Sequence, residues 1–184
     1  MAVARLPAPL AMLPWRMLAV VLALAGFGLL VLYSAAGGRM TWALPQAIRL
    51  VLFLGMAIVM SRLSPRFYKD WAFLAYGGVL ALLLLVEALG AIRGGAQRWL
   101  DLGVIRLQPS ELMKPAVVLA LARFYDMLPA RELRRWTAIW PALLIIGLPA
   151  GFILVQPDLG TAISVLVGGI TVMFLAGLPL RLFL

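Results

Sequence analysis

Apolar residues fill stretches of about 20 positions along nearly the whole chain, separated by short segments that carry most of the charge. A helix rises 1.5 Å per residue, so a run of ~20 apolar residues matches the ~30 Å hydrocarbon core of a bilayer. Six spans are predicted on this basis, at about 17–38, 42–61, 71–92, 110–125, 136–156 and 160–180. The first, fifth and sixth are essentially free of charge, whereas Arg49 interrupts the second, Glu87 the third and Lys114 the fourth. The runs are too long and too continuous for barrel strands, which are short and alternate. The predicted fold class is therefore all-α, a polytopic membrane helix bundle.

Arg5 and Arg16 precede the first run in the manner of a signal peptide, but the run from Met17 is longer than a usual signal core and more spans follow. It reads as an uncleaved first transmembrane helix. No repeat, linker or low-complexity segment interrupts the chain. The basic residues orient it. With the N-terminus inside, the inner segments hold Arg5, Arg16, Arg62, Arg66, Lys69, Arg123, Arg131, Arg134, Arg135 and Arg181. The outer side holds Arg39, Arg93, Arg98 and Arg106. The excess of Lys and Arg on one side favours a cytoplasmic N-terminus.

Composition narrows the chemistry. Of 184 residues, 65% are hydrophobic and 12% charged, about half the charged share of a soluble domain. The net charge of +9 follows from the inner loops, and no basic amphipathic segment or aromatic platform points to nucleic acid. There is neither Cys nor His, which excludes thiol redox chemistry, Cys/His zinc sites and histidine bases. Proton transfer is left to Asp, Glu, Lys and Tyr.

The outer segment 92–109 opposes the orientation bias, with Arg93, Arg98 and Arg106 against one acid, Asp101. It either binds an anion or is a solvated loop among headgroups. Gly94 and Gly95 permit a tight turn where the third span exits. The stretch "AQRWLDLG" is amphipathic and fits the membrane–water interface. Trp99 is either an interfacial anchor or a stacking surface for a sugar or lipid headgroup.

Two further polar stretches lie at the same predicted depth. In "QPSELMK", Pro109 disfavours helix at Gln108, Ser110 is a candidate N-cap for the fourth span, and Glu111 sits where the helix dipole favours a carboxylate. Lys114, three residues on, shares a face with Glu111. An ion pair this close to lipid is costly unless it faces the protein interior. It either braces the fourth span or lines a polar cavity that opens outward, where Glu87 can join Lys114 or Arg49. In "VQPDLGTAI", Pro157 breaks the chain, Asp158 can cap the sixth span and Gly160 permits close approach. Glu87, Arg98, Glu111, Lys114 and Asp158 thus fall near one membrane face, and such convergence marks a candidate site.

"GGAQRWLDLGVIRLQPSELMK" and "QPDLGT" closely resemble the distinctive motifs of the SEDS family of bacterial membrane proteins, named for shape, elongation, division and sporulation. "VLYSAAG" and "LPLRL" also fit, and the likeness runs from about residue 20 to 184, nearer the rod-shape branch than the division branch. The resemblance implies a peptidoglycan glycosyltransferase of the bacterial cytoplasmic membrane that polymerises lipid II, an undecaprenyl diphosphate carrying a disaccharide-pentapeptide. A GlcNAc 4-hydroxyl would attack MurNAc C1 and undecaprenyl diphosphate would leave. The implied partners are a class B penicillin-binding protein and the elongation machinery.

Arginine and lysine suit a departing diphosphate, and Arg93, Arg98 and Lys114 can supply that charge. A divalent metal such as Mg is compatible with a diphosphate, although no ligand set stands out and no cofactor is certain. By position, Trp99 matches a functionally important tryptophan of the family, Glu111 and Lys114 its central ion pair, and Asp158 its QPDLGT aspartate. With Gln108 and Ser110 they are assigned to the substrate cavity and its architecture. The family has ten spans and about twice this length, and its proposed catalytic Asp lies in a large outer loop beyond the position of Leu184. Residues 1–184 are therefore expected to be the N-terminal part of one SEDS transmembrane domain, without the base and inactive by themselves. Two other roles suit the same cavity: a lipid II flippase, or a non-catalytic scaffold for the penicillin-binding protein. Flipping needs access to both faces, whereas the embedded polar residues gather at one.

Overall fold

The computed structural model describes residues 14–89, 91–93, 96–101, 106–133 and 135–179. Along them run α1 (Trp15–Ala35), α2 (Met40–Met60), α3 (Pro65–Leu89), β1 (Ala91–Arg93), β2 (Ala96–Asp101), β3 (Arg106–Leu107), α4 (Pro109–Met127), a 3-10 turn (Ala130–Glu132), α5 (Trp136–Val155) and α6 (Leu159–Leu175). Each predicted span corresponds to one helix. By length and composition Trp15–Ala35, Met40–Met60, Pro65–Glu87 and Trp136–Val155 can each cross a membrane, and Leu159–Leu175 is a shorter apolar helix. The charges of α4 keep it from the same standard.

Two boundaries move for identifiable reasons. α3 begins at Pro65 rather than 71, because Ser64 Oγ accepts the N–H of Phe67 at 3.3 Å and Pro65 occupies the first helical position, where its missing N–H costs nothing. α6 ends at Leu175 rather than 180. Gly177 takes φ +93° and the N–H of Leu178 returns to the carbonyl of Met173 at 3.4 Å, a left-handed termination that a glycine makes readily.

The chain divides into two compact units, Met1–Leu63 and Ser64–Leu184. The first is the α1–α2 hairpin, turned by Gly37 and Gly38 at φ +64° and +77°. Among its described residues most side chains are exposed, the rest are half-buried and Ala43 is buried, as suits helices whose surroundings are apolar.

In the second unit α4 touches α3, α5 and α6, and α5 packs on α6. Leu83, Met113, Val117, Leu121, Ile153 and Val165 are fully buried in its core. Lipid is as apolar as leucine, so close packing rather than escape from water holds such helices together. Small residues permit the approach: Ala116, Ala120, Ala142 and Ala162 are buried at the contacts. A Cβ on Gly169 would stand 2.5 Å from Ile146 Cγ1, so only glycine fits there.

The stretch "AQRWLDLG", expected to be amphipathic at the interface, contributes β2, which pairs antiparallel with β1 and β3 in a small sheet of order β1-β2-β3. Arg93 pairs with Ala96 and Leu100 with Leu107. The intervening Gly94 and Gly95, where a tight turn is expected, lie outside the described residues.

Candidate functional site

Pro109 takes the first helical position of α4, which places Gln108 at the N-cap and Ser110 inside the first turn. Ser110 is therefore not the cap that its residue type predicts, because Pro109 at the first helical position sets the cap two residues earlier, at Gln108. The Ser110 side chain is buried, and among the described residues its hydroxyl has no hydrogen-bond partner. Gln108 makes no cap bond and reaches across instead, its Nε2 donating to Asp158 Oδ2 at 3.2 Å.

Asp158 caps α6 as expected. Its Oδ1 accepts from the Thr161 N–H at 3.2 Å and its Oδ2 from the Thr161 hydroxyl at 2.9 Å. One carboxylate thus joins the start of α6 to the residue that opens α4. The two Gln-Pro pairs of the sequence, 108–109 and 156–157, meet at this end of the unit. Gln156, buried, completes the junction by donating from Nε2 to the Leu83 carbonyl of α3 at 3.3 Å. Gln156 was missed in the sequence, although a lone amide at the end of an apolar helix was the available signal.

Glu111 and Lys114 form the predicted pair, with Lys114 Nζ 2.8 Å from Glu111 Oε2. The expectation that the pair is hidden inside the bundle is corrected: the side chains are 53% and 34% exposed. Ser110, Met113, Val117 and Leu121 take the inward stripe of α4, so positions 111 and 114 fall on the neighbouring face.

In β2, Leu100 is buried and Trp99 is exposed, as alternation along a strand requires. β2 touches both α3 and α4, so Trp99 stands at the same end as Gln108 and Asp158. Arg93 and Arg98 have their backbone in β1 and β2, and their side chains lie outside what is described. Glu87 is exposed near the end of α3. Arg49 is exposed on α2, in the other unit. Among the described residues no three His, Cys, Asp or Glu side chains gather as a metal would need.

The opposite end of the unit carries a different cluster, also missed. Asp126, just past the predicted fourth span, accepts from Lys69 Nζ at 2.7 Å and from Arg123 at 3.0 Å. The Lys69 hydrogen bond, chiefly, holds this carboxyl below its usual range; desolvation opposes it, and the charge of Lys69 and the Arg123 hydrogen bond add to the lowering.

A bundle of apolar helices with polar side chains gathered at one end is a multi-pass membrane protein with a candidate site at its surface. Comparison identifies which kind. A family model described as cell cycle protein FtsW/RodA/SpoVE matches residues 15–184, and the chain belongs to that family. The peptidoglycan glycosyltransferase MrdB of Escherichia coli K12 is 42% identical over 166 residues, 90% of this chain and 44% of that one. A probable peptidoglycan glycosyltransferase FtsW of Alkalilimnicola ehrlichii is 33% identical over 91% of this chain and 44% of its own length. The crystal structure of the rod shape determining protein RodA of Thermus thermophilus superposes with a TM-score of 0.80 at 38% identity, covering 92% of this chain and 56% of that one. A peptidoglycan synthase complex, solved for how it coordinates polymerization and crosslinking, gives 0.79 at 35% identity over 90% of this chain and 48% of the other. The chain spans about half the length of the relatives it matches.

Proposed function

We propose that residues 1–184 are the N-terminal part of a single SEDS transmembrane domain whose activity is lipid II polymerisation for cell elongation. The carrying observation is the cluster of Gln108, Asp158, Glu111 and Lys114 at one end of α4, in a chain 42% identical to a relative named peptidoglycan glycosyltransferase. The N-terminus is cytoplasmic in this reading, which places the cluster on the outer face of the bacterial inner membrane, where a lipid-borne diphosphate is presented.

The proposed division of labour follows from charge. Lys114, oriented by Glu111, offers an ammonium to the diphosphate as negative charge builds on the leaving group. Arg93 and Arg98 add bidentate donors from the adjacent sheet. Trp99 offers an exposed face on which a sugar can stack. Gln108 and Asp158 fix the entry of α4 relative to α6, and Ser110 has a spare hydroxyl below them. The base that takes the acceptor's proton is assigned outside this chain. A class B penicillin-binding protein and the elongation machinery are the proposed partners. The kinship to a synthase complex that couples polymerization with crosslinking supports the first of these.

The test is a chimera in which this chain replaces the matching segment of Escherichia coli MrdB. Restored rod shape and glycan polymer from fluorescent lipid II support the reading. A chimera that inserts normally, moves lipid II between leaflets and makes no polymer overturns it in favour of a flippase. One that recruits the penicillin-binding protein with neither activity leaves the scaffold role.

A further inference from the structure

At the end of the second unit remote from Asp158, a groove of about 430 Å³ runs between α4, α6 and the segment after α4. Its walls are apolar: Ala122 and Tyr125 from α4, Leu133 from the connection, Val172, Leu175 and Ala176 from the end of α6. Asp126 stands at its mouth. We infer that this groove is a binding site for one anionic phospholipid, whose acyl chain lies along Tyr125, Leu133 and Val172 and whose phosphate meets Arg123.

Three observations fix the occupant. First, the mouth is cationic. Asp126 is shared by Lys69 and Arg123, so two positive charges face one carboxylate, and exposed Arg131 and Arg135 flank Leu133 in sequence. Arg123 spends one N–H on Asp126 at 3.0 Å, and that bond holds the guanidinium while its other donors remain for a phosphate. Secondly, this end sits at headgroup level by its aromatic residues. Phe67 packs on Trp71 one turn along α3, with ring centroids 5.9 Å apart and Lys69 midway between them in sequence, and exposed Trp136 opens α5. Such rings mark a membrane–water interface. Thirdly, an apolar groove beside charged residues at that depth suits a chain with an anionic head, which neither a soluble anion nor a neutral lipid provides. The site lies away from the Gln108–Asp158 junction and does not depend on the proposed glycosyltransferase activity.

The full chain, purified in a neutral detergent, is titrated with dioleoyl phosphatidylglycerol or dioleoyl phosphatidylcholine while its melting temperature is followed. Phosphatidylglycerol is expected to raise the melting temperature saturably, with a stoichiometry near one by native mass spectrometry, and phosphatidylcholine is not. Arg123→Gln should weaken the apparent affinity about tenfold, as loss of a charge-assisted hydrogen bond implies. Val172→Trp, which fills the groove and keeps every cation, should abolish saturation, and Arg39→Gln should leave it unchanged. Equal responses to the two lipids, or an undiminished response in Val172→Trp, overturn the proposal. If Arg123→Gln does not fold, Arg135→Gln and Val172→Trp decide the matter.

Discussion

The hydroxyl of Tyr76 donates to the carbonyl of Ile145 at 3.1 Å, and that carbonyl is the one Pro149 leaves without a helical donor. In an α-helix the N–H at 149 would close on the oxygen at 145, but proline has none. α5 is therefore interrupted inside the apolar layer, where an unpaired carbonyl is expensive, and a side chain from α3 fills the gap. Tyr125 adds a second tie two turns earlier, its hydroxyl reaching the Ala138 carbonyl at 3.3 Å, although no proline frees that oxygen. α5 is thus held by hydroxyls from two neighbours, which fixes its rotation as packing alone does not.

Tyr76→Phe should lower stability by about 0.5–1.5 kcal/mol, the net worth of one such bond. The informative measurement is a double-mutant cycle with Pro149→Ala, followed by reversible unfolding in mixed micelles. Restoring the N–H at 149 gives the Ile145 carbonyl its own partner, so the cost of Tyr76→Phe should shrink in that background. Strict additivity would mean that the tyrosine does not serve the proline-freed oxygen.

Gly169 and Ile146 give a steric prediction. The added methyl of Gly169→Ala would meet Ile146 Cγ1 at 2.5 Å and Cδ1 at 2.7 Å, so α5 and α6 must separate or Ile146 must leave its rotamer. Overpacking of this kind costs about 1–3 kcal/mol. Ile146→Ala should recover most of the loss in the double variant, read as a return of the melting temperature toward that of Ile146→Ala alone.

The spans were legible because the long apolar runs and their charged separators report bilayer crossing directly. So was Asp158 as a cap, since capping is local chemistry. What was not legible depended on partners far along the chain. Tyr76 in an apolar helix reads as filler until the carbonyl of Ile145 is seen beside it, and Gln156 reads as a helix end until Leu83 is found opposite. Ser110 misled because its residue type favours the cap while Pro109 fixes the register. The sheet had a signal, Gly94-Gly95 between short alternating runs, which is a hairpin pattern. The amphipathic character of "AQRWLDLG" pointed to an interfacial stretch instead. The depth of the Glu111–Lys114 pair was misjudged because spacing shows that two residues share a face and not which way that face points.

Asp126 carries a pH prediction. Its pKa lies below the ordinary carboxylate value when folded, so the unfolded chain binds the proton more readily. The contribution to stability is complete above the unfolded pKa and is lost as pH falls through the folded one. The melting temperature should therefore drop on acidification below about pH 4, and Lys69→Met should flatten that drop. The group is exposed, so the effect should also weaken in high salt. A Lys69→Met profile parallel to wild type at every pH would remove the ion pair from the explanation.

Lys114 separates folding from function. Were the pair with Glu111 buried, Lys114→Met would strand a charge in the core and cost about 3–5 kcal/mol. With the side chains 34% and 53% exposed, the folding cost should stay near that of an exposed pair, up to about 1 kcal/mol. The proposed role is electrostatic and specific to the lipid diphosphate, so in the MrdB chimera polymer formation should fall at least about a hundredfold, in line with loss of one preorganised charge at a leaving group. Lys114→Arg should recover part of the rate, because the charge persists while the compact ammonium geometry does not. Asp158→Ala should behave in the opposite way. It removes the Thr161 cap and the tie to Gln108, so insertion and stability should suffer by about 1–2 kcal/mol, with activity falling only as far as folded protein falls. Measuring polymer per folded molecule distinguishes the two, and equal specific losses in both variants would dissolve the division between a residue that meets substrate and one that holds the helices.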